Sequence, residues 1–87
     1  MRGFSGEQLL VVADEYCAFH GCHVRSFAAL AASAAVPGSR LHGVPVFDSV
    51  EAAAAALTET IRALQPLSGA NAGFADVAAE VYRRWAE

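Results

Sequence analysis

The seven residues Cys17-Ala18-Phe19-His20-Gly21-Cys22-His23 hold two thiols and two imidazoles, donor types that suit Zn²⁺. On a helix, Cys17 and His20 at i, i+3 form half a tetrahedral site, and a partner would have to supply the rest. Structural zinc sites generally clamp two segments well apart in sequence, so this local cluster predicts no metal. Cys17 then reads as a small buried hydrophobe and His20 as a helix-end histidine favoured by the dipole. Asp14 and Glu15 point about 100° apart on a helix and do not share a proton; they read as surface carboxylates. His42, beside Arg40 in a polar loop, reads as solvated, or as a contact to an anionic group. The last candidate is Leu64-Gln65-Pro66-Leu67-Ser68-Gly69-Ala70-Asn71-Ala72-Gly73-Phe74. It is a polar, glycine-bearing loop feeding a helix N-terminus, an arrangement whose N–H groups and dipole suit phosphate. Yet it contains no Lys, Arg, His, Asp or Glu.

The elements that must position these groups are helical. Ser5 with Gln8 reads as a capping box, and Phe4 as a staple onto Leu9. Leu9, Val12, Tyr16 and Phe19 then recur at spacings of three and four as one apolar stripe, and Gly21 stops the helix. A second helix starts near Ser26, with Phe27, Leu30 and Ala34 on one face, and ends at Pro37-Gly38. Residues 39–48 form a loop in which Val44-Pro45-Val46 reads at most as a short edge. Asp48 and Glu51 open a third helix with the stripe Val50, Ala54, Leu57, Ile61 and Leu64. Its run Ala52–Ala56 has the strongest helix propensity in the chain. Phe74, Val77, Val81 and Trp85 define a fourth helix, which runs to the chain end and is joined to the third by loop 65–73. The expectation is a single all-α domain over residues 1–87, a small bundle of about four helices.

Composition narrows the function classes. Hydrophobic residues make up 55% of the 87 and charged residues only 17%, against roughly 25% in ordinary soluble domains. So little charge predicts exposed apolar surface, and hence a protein partner or a dimer. The net charge is −3 and the six basic residues are scattered arginines, of which only Arg83 and Arg84 are adjacent. That excludes the basic stripe of a nucleic-acid binder. No run reaches the ~18 apolar residues of a membrane span, and Asp14-Glu15 interrupt Leu9–Ala13 too early for a signal peptide. The reading is a soluble cytoplasmic protein with reduced cysteines.

On these residues the chain resembles the death-on-curing (Doc) toxins of the Fic superfamily over roughly residues 5–85. Val24-Arg25-Ser26 followed by Leu30, Ala34 and Pro37 is similar to the family segment in which "VRD" precedes a helix ending before proline. Leu41 to Ser49 resembles the loop before the next helix, and Val50–Leu64 the helix leading to the core motif. That motif reads His-Pro-Phe-x-Asp-Gly/Ala-Asn-Lys-Arg, and here Gln65-Pro66-Leu67-Ser68-Gly69-Ala70-Asn71-Ala72-Gly73 stands in its place. Pro66, Ala70 and Asn71 match, and Leu67 keeps the apolar anchor. In the family the histidine is general base towards a target hydroxyl, the acid helps hold Mg²⁺ with the nucleotide, and the two cations clamp phosphates. Gln65 cannot accept that proton near neutrality. Gly69 offers a hard cation no charged oxygen, and Ala72 and Gly73 leave only backbone dipoles for the nucleotide.

Losing a general base alone costs about 10²–10⁴ in rate, and these losses fall within one constellation. The resemblance therefore implies a vacated site with no catalytic residue, cofactor or metal. It implies a catalytically degenerate member of a toxin–antitoxin-like system that acts by binding an antitoxin-like protein, a toxin's target or another copy of itself. Family members usually continue past the post-motif helix, which places the uncovered partner interface on the flank of Ala78 and Tyr82. Two rivals stay open: an active Fic/Doc-type transferase holding phosphate with Asn71 and loop N–H groups, and a purely structural helical interaction module.

Overall fold

In the computed structural model, which describes residues 4–86, Ser5 opens helix α1 (Gly6–His20) with a complete capping box. Its hydroxyl accepts from the Gln8 N–H at 3.0 Å, and the Gln8 side chain accepts from the Ser5 N–H at 2.8 Å. Gly21, in the left-handed conformation, closes the helix by donating to the Cys17 carbonyl. Ser26 caps α2 (Phe27–Ala35) through the Ala29 N–H. Ser49, and not Asp48, caps α3 (Val50–Leu64) through the Ala52 N–H. The fourth helix, α4 (Asn71–Ala86), starts inside the stretch expected to be loop, so the connector proper is residues 65–70. Between α2 and α3 the chain makes a two-stranded antiparallel ribbon, β1 (Arg40–Leu41) and β2 (Val44–Pro45). His42 and Gly43 form its turn, both with positive φ (52° and 81°), as a two-residue primed turn requires. Arg40 Nη1 donates to the Gly43 carbonyl at 2.8 Å and staples that turn. The all-α expectation holds: the described residues form four helices and one minimal ribbon.

The most extensive contact between helices is α3 against α4, and α1 against α2 is the next. α2 bridges to α3, whereas α1 meets α4 only sparingly. The core is built from Leu9, Ala13, Tyr16 and Cys17 of α1, Leu30 and Ala34 of α2, and Ala53, Ala54, Leu57 and Ile61 of α3. Phe74, Ala75, Ala78, Ala79 and Tyr82 complete it from α4. At the end where α1 begins and α4 finishes, the Phe4 ring stacks on Trp85 at 5.5 Å and meets the edge of Tyr82 at 5.4 Å.

Two expected stripes are rotated. On α1 the buried positions include Ala13 and Cys17, while Phe19 is 90% exposed. On α4 the buried face is Phe74, Ala75, Ala78, Ala79 and Tyr82, and Val77 lies at the surface. On α4 small residues let helix axes approach, and α3, its most extensive contact, buries Ala53 and Ala54, so the alanine-bearing face of α4 turns inward. On α1 the inward face packs chiefly on α2. Ala78 and Tyr82, expected as the partner interface, are both fully buried (0% exposed) and belong to the core. That interface placement is corrected accordingly.

Candidate functional site

The loop of residues 65–70 lies at the end of the bundle where α1 passes into α2 and α3 into α4. The two connectors are stitched together by backbone. Arg25 and Ser26 N–H groups both donate to the Pro66 carbonyl (2.7 and 3.1 Å), and Ser68 N–H donates to the His23 carbonyl (2.8 Å). Val24 and Leu67 pair as an antiparallel bridge, and the Ser68 hydroxyl accepts from the His23 N–H at 3.0 Å. Pro66 and Leu67 are buried, so the two positions of the loop that keep the motif's apolar character anchor it.

Asn71 closes the loop on itself. Its Oδ1 accepts from the Leu67 N–H at 2.9 Å, and its Nδ2 donates to the Leu67 carbonyl at 3.0 Å. Both ends of the amide are thereby engaged with one residue's backbone, which leaves Asn71 a structural clamp. Gln65 is the left-handed cap of α3 (φ 49°), donating its N–H to the Ile61 carbonyl, and it is exposed. Ala70 also has a positive φ (55°) as the chain turns into α4. Gly69, Ala72 and Gly73 contribute no side-chain polar atom to the site.

Sequence reasoning missed two residues that hold this site. Arg25 donates from Nε to the Gln65 carbonyl (3.1 Å), and from Nη2 to the Gln65 and Leu64 carbonyls, the latter at 3.2 Å. The guanidinium therefore neutralises the negative end of α3. Tyr16, read as a stripe residue only, donates its hydroxyl to the Ala70 carbonyl at 2.9 Å. Burial, with lesser contributions from Cys22, Cys17 and Asp76, holds that phenol above its ordinary pKa, so it stays protonated as the donor. The signals were present in the aromatic spacing and in the arginine beside Ser26, but their partners lie 54 and about 40 residues away.

The Tyr16 hydroxyl also explains Gly73. A Cβ at that position would stand 2.5 Å from the Tyr16 oxygen. Glycine inside a helix ordinarily costs about 1 kcal/mol relative to alanine, so Gly73→Ala alone should be stabilising. Here we expect the reverse, a loss of about 1 kcal/mol, because Tyr16 must release the Ala70 carbonyl. In a Tyr16→Phe background the same change should gain about 0.5–1 kcal/mol. Urea unfolding of the four variants checks this sign reversal, and equal Gly73→Ala effects in both backgrounds would refute it.

Elsewhere the arginines are committed. Arg62 pairs with Asp76 at 3.4 Å, Arg83 reaches Glu51 of α3 at 3.2 Å, and Arg84 meets Glu80 at 3.2 Å. These exposed pairs add little stability, but with Arg25 and Arg40 they engage every arginine among the described residues. The thiols of Cys17 and Cys22 stand 3.3 Å apart. The His20 ring stacks on Tyr16 with centroids 4.1 Å apart. Among the described residues, no three His, Cys, Asp or Glu side chains converge as a metal-ligand set. Asp14, Glu15 and His42 are exposed.

A second surface feature is an apolar groove of about 460 Å³ between α1 and α4, lined by Val11, Val12, Tyr16, Phe19, Val77 and Val81, with Glu15 and His20 at its edge. It opens where α1 meets α4 least. Phe19, Val11 (61% exposed) and Val77 are the large apolar side chains it presents to solvent. Among the described residues no helix is long and apolar enough to cross a membrane. Comparison with protein-family models, curated proteins and solved structures returns no match.

Proposed function

We propose that this chain is a catalytically degenerate Doc/Fic-type module of a toxin–antitoxin-like system, and that it acts by protein binding through the α1/α4 groove. The exposed Phe19 beside Val11 and Val77 is the observation that carries this reading, since a lone surface phenylalanine is ordinary but a contiguous apolar groove marks an interaction site. The engaged Asn71 amide and the committed arginines count against the transferase alternative. A phosphate at the loop would have to displace the Leu67 backbone from Asn71 and would meet no uncommitted arginine among the described residues.

The groove's chemistry favours an amphipathic helix with basic flanks. Glu7, Asp14 and Glu15 lie along exposed positions of α1, and among the described residues none of them has an ion pair. α1 itself has no Lys or Arg. A symmetric pairing of two copies through α1 would bring these like charges together, whereas a helix with an apolar stripe and flanking cations satisfies both surfaces. A stable interface of this kind buries on the order of 1,200 Å² or more.

Phe19→Glu is expected to leave the fold within about 0.5 kcal/mol of wild type, since the side chain is exposed. It should abolish association with the product of the neighbouring gene. Sedimentation at micromolar concentration, with each protein alone and mixed, reads this out. A protein that binds nothing encoded nearby, or a Phe19→Glu variant that binds as well as wild type, refutes the assignment. Incubation with labelled ATP, Mg²⁺ and lysate separates the rival: label transfer abolished by Asn71→Ala would establish the transferase instead.

A further inference from the structure

The thiol pair plays no part in the groove or the loop, yet its geometry is specific. Cys17 is buried in the last turn of α1, and Cys22, half-buried, follows the left-handed Gly21. The N–H groups of Gly21 and Cys22 both donate to the Cys17 carbonyl, at 2.9 and 3.3 Å. This reversal folds the chain back at the helix end and sets the two Sγ atoms 3.3 Å apart, with the Cys22 thiol donating to Cys17. We propose that Cys17 and Cys22 form a redox-active dithiol, oxidised to an intramolecular disulfide by a small-molecule disulfide, with Cys22 as the attacking sulfur.

Exposure sets the order of events. Cys22 reaches solvent, whereas burial, reinforced by the Cys22 hydrogen bond and charge, pushes the Cys17 thiol up to about 11. Cys17 is therefore protonated at neutral pH and does not start the exchange. Cys22 gives its proton to solvent and its thiolate attacks one sulfur of the disulfide RSSR. That S–S bond breaks, and RS⁻ leaves and takes up a proton. With Cys22 in a mixed disulfide, its negative charge no longer opposes ionisation of Cys17. Cys17 then loses its proton, attacks the Cys22 sulfur beside it, and expels the second RS⁻, which is protonated in turn. Two protein thiols are oxidised by two electrons, and one RSSR is reduced to two RSH. Closure brings the sulfurs from 3.3 Å to about 2.05 Å. The product ties the end of α1 to the connector that pairs with residues 66–68, so it constrains the end of the bundle where both connectors meet.

Treatment of the folded full chain with glutathione disulfide, followed by acid quench and intact-mass measurement, tests the assignment. Wild type is expected to end as a monomer lighter by two hydrogen atoms and carrying no glutathione. Cys17→Ala should retain one glutathione on Cys22. Cys22→Ser should react at Cys17 at least about tenfold more slowly than Cys17→Ala reacts at Cys22, and that protection should vanish in urea. Wild type that retains glutathione, that forms disulfide-linked dimers, or that stays reduced while Cys17→Ala is modified would overturn the proposal. So would a Cys22→Ser variant that reacts as fast as Cys17→Ala. The wild-type mass stands as a test even if a variant folds poorly.

Discussion

Tyr82→Asp is expected to unfold the protein. The Tyr82 side chain has no solvent exposure and sits among Phe4 and Trp85, with ring centroids 5.4 and 6.3 Å away. Truncating a large buried aromatic costs about 3–5 kcal/mol from lost burial and the cavity left behind. Aspartate adds the desolvation of a carboxylate, a further penalty of several kcal/mol unless the group protonates. A chain of this length has a total stability of roughly 4–13 kcal/mol at ordinary per-residue values, so the sum consumes most or all of it. Tyr82→Phe keeps the ring packing and should remain folded, losing about 1 kcal/mol. Circular dichroism and thermal melts of the two variants decide the matter. A Tyr82→Asp protein with wild-type helicity and a cooperative melt would show that the side chain is not in the core.

Asn71→Ala is expected to cost about 2–4 kcal/mol, although Asn71 is only half-buried and carries no charge. The loss comes from the other side of the contact. Leu67 is 1% exposed, and the Asn71 amide serves both its N–H and its carbonyl. Removing the amide strands two backbone groups in a place where water cannot replace both, and an unsatisfied buried group costs about 1–3 kcal/mol. Asn71→Asp should be milder, about 1–2 kcal/mol, because it retains the acceptor for the Leu67 N–H and places an anion at the start of α4. Urea midpoints of the two variants check the order. An Asn71→Ala protein within about 0.5 kcal/mol of wild type would mean that the loop does not depend on this clamp.

The connector between α3 and α4 is held by its own residues. Pro66 and Leu67 are buried, Asn71 holds Leu67, and Gln65 accepts the turn out of α3. What resembles a remnant of catalysis is therefore the splice that joins the two connectors. Under the proposed function, this end of the bundle serves the fold, while binding is assigned to the long groove between α1 and α4.

The sequence by itself determined the helices and most of their ends. Ser5 with Gln8, Ser26, Gly21 and the alanine run of α3 act within one or two turns of their own position, so neighbouring residues suffice to read them. The absence of acid, base and cation from residues 65–73 was equally legible, since it is a matter of residue identity. Tertiary structure decided which face of each helix is buried. Both α1 and α4 carry two apolar arcs, one of large side chains and one that includes small ones, and periodicity alone favours the larger. Close approach to α3, whose contact surface includes alanine, turned Ala75, Ala78 and Ala79 inward and left Val77 at the surface, whereas α1, packed chiefly on α2, buries Ala13 and Cys17 and leaves Phe19 outside. The same tertiary packing delivered Arg25 to the end of α3 and the Tyr16 hydroxyl to Ala70. Both contacts join residues distant along the chain, whereas the meeting of Cys22 with Cys17 is local and depends on the left-handed turn at Gly21. The two distant contacts are encoded in no local pattern, because a hydrogen bond is specified by where two groups meet in space.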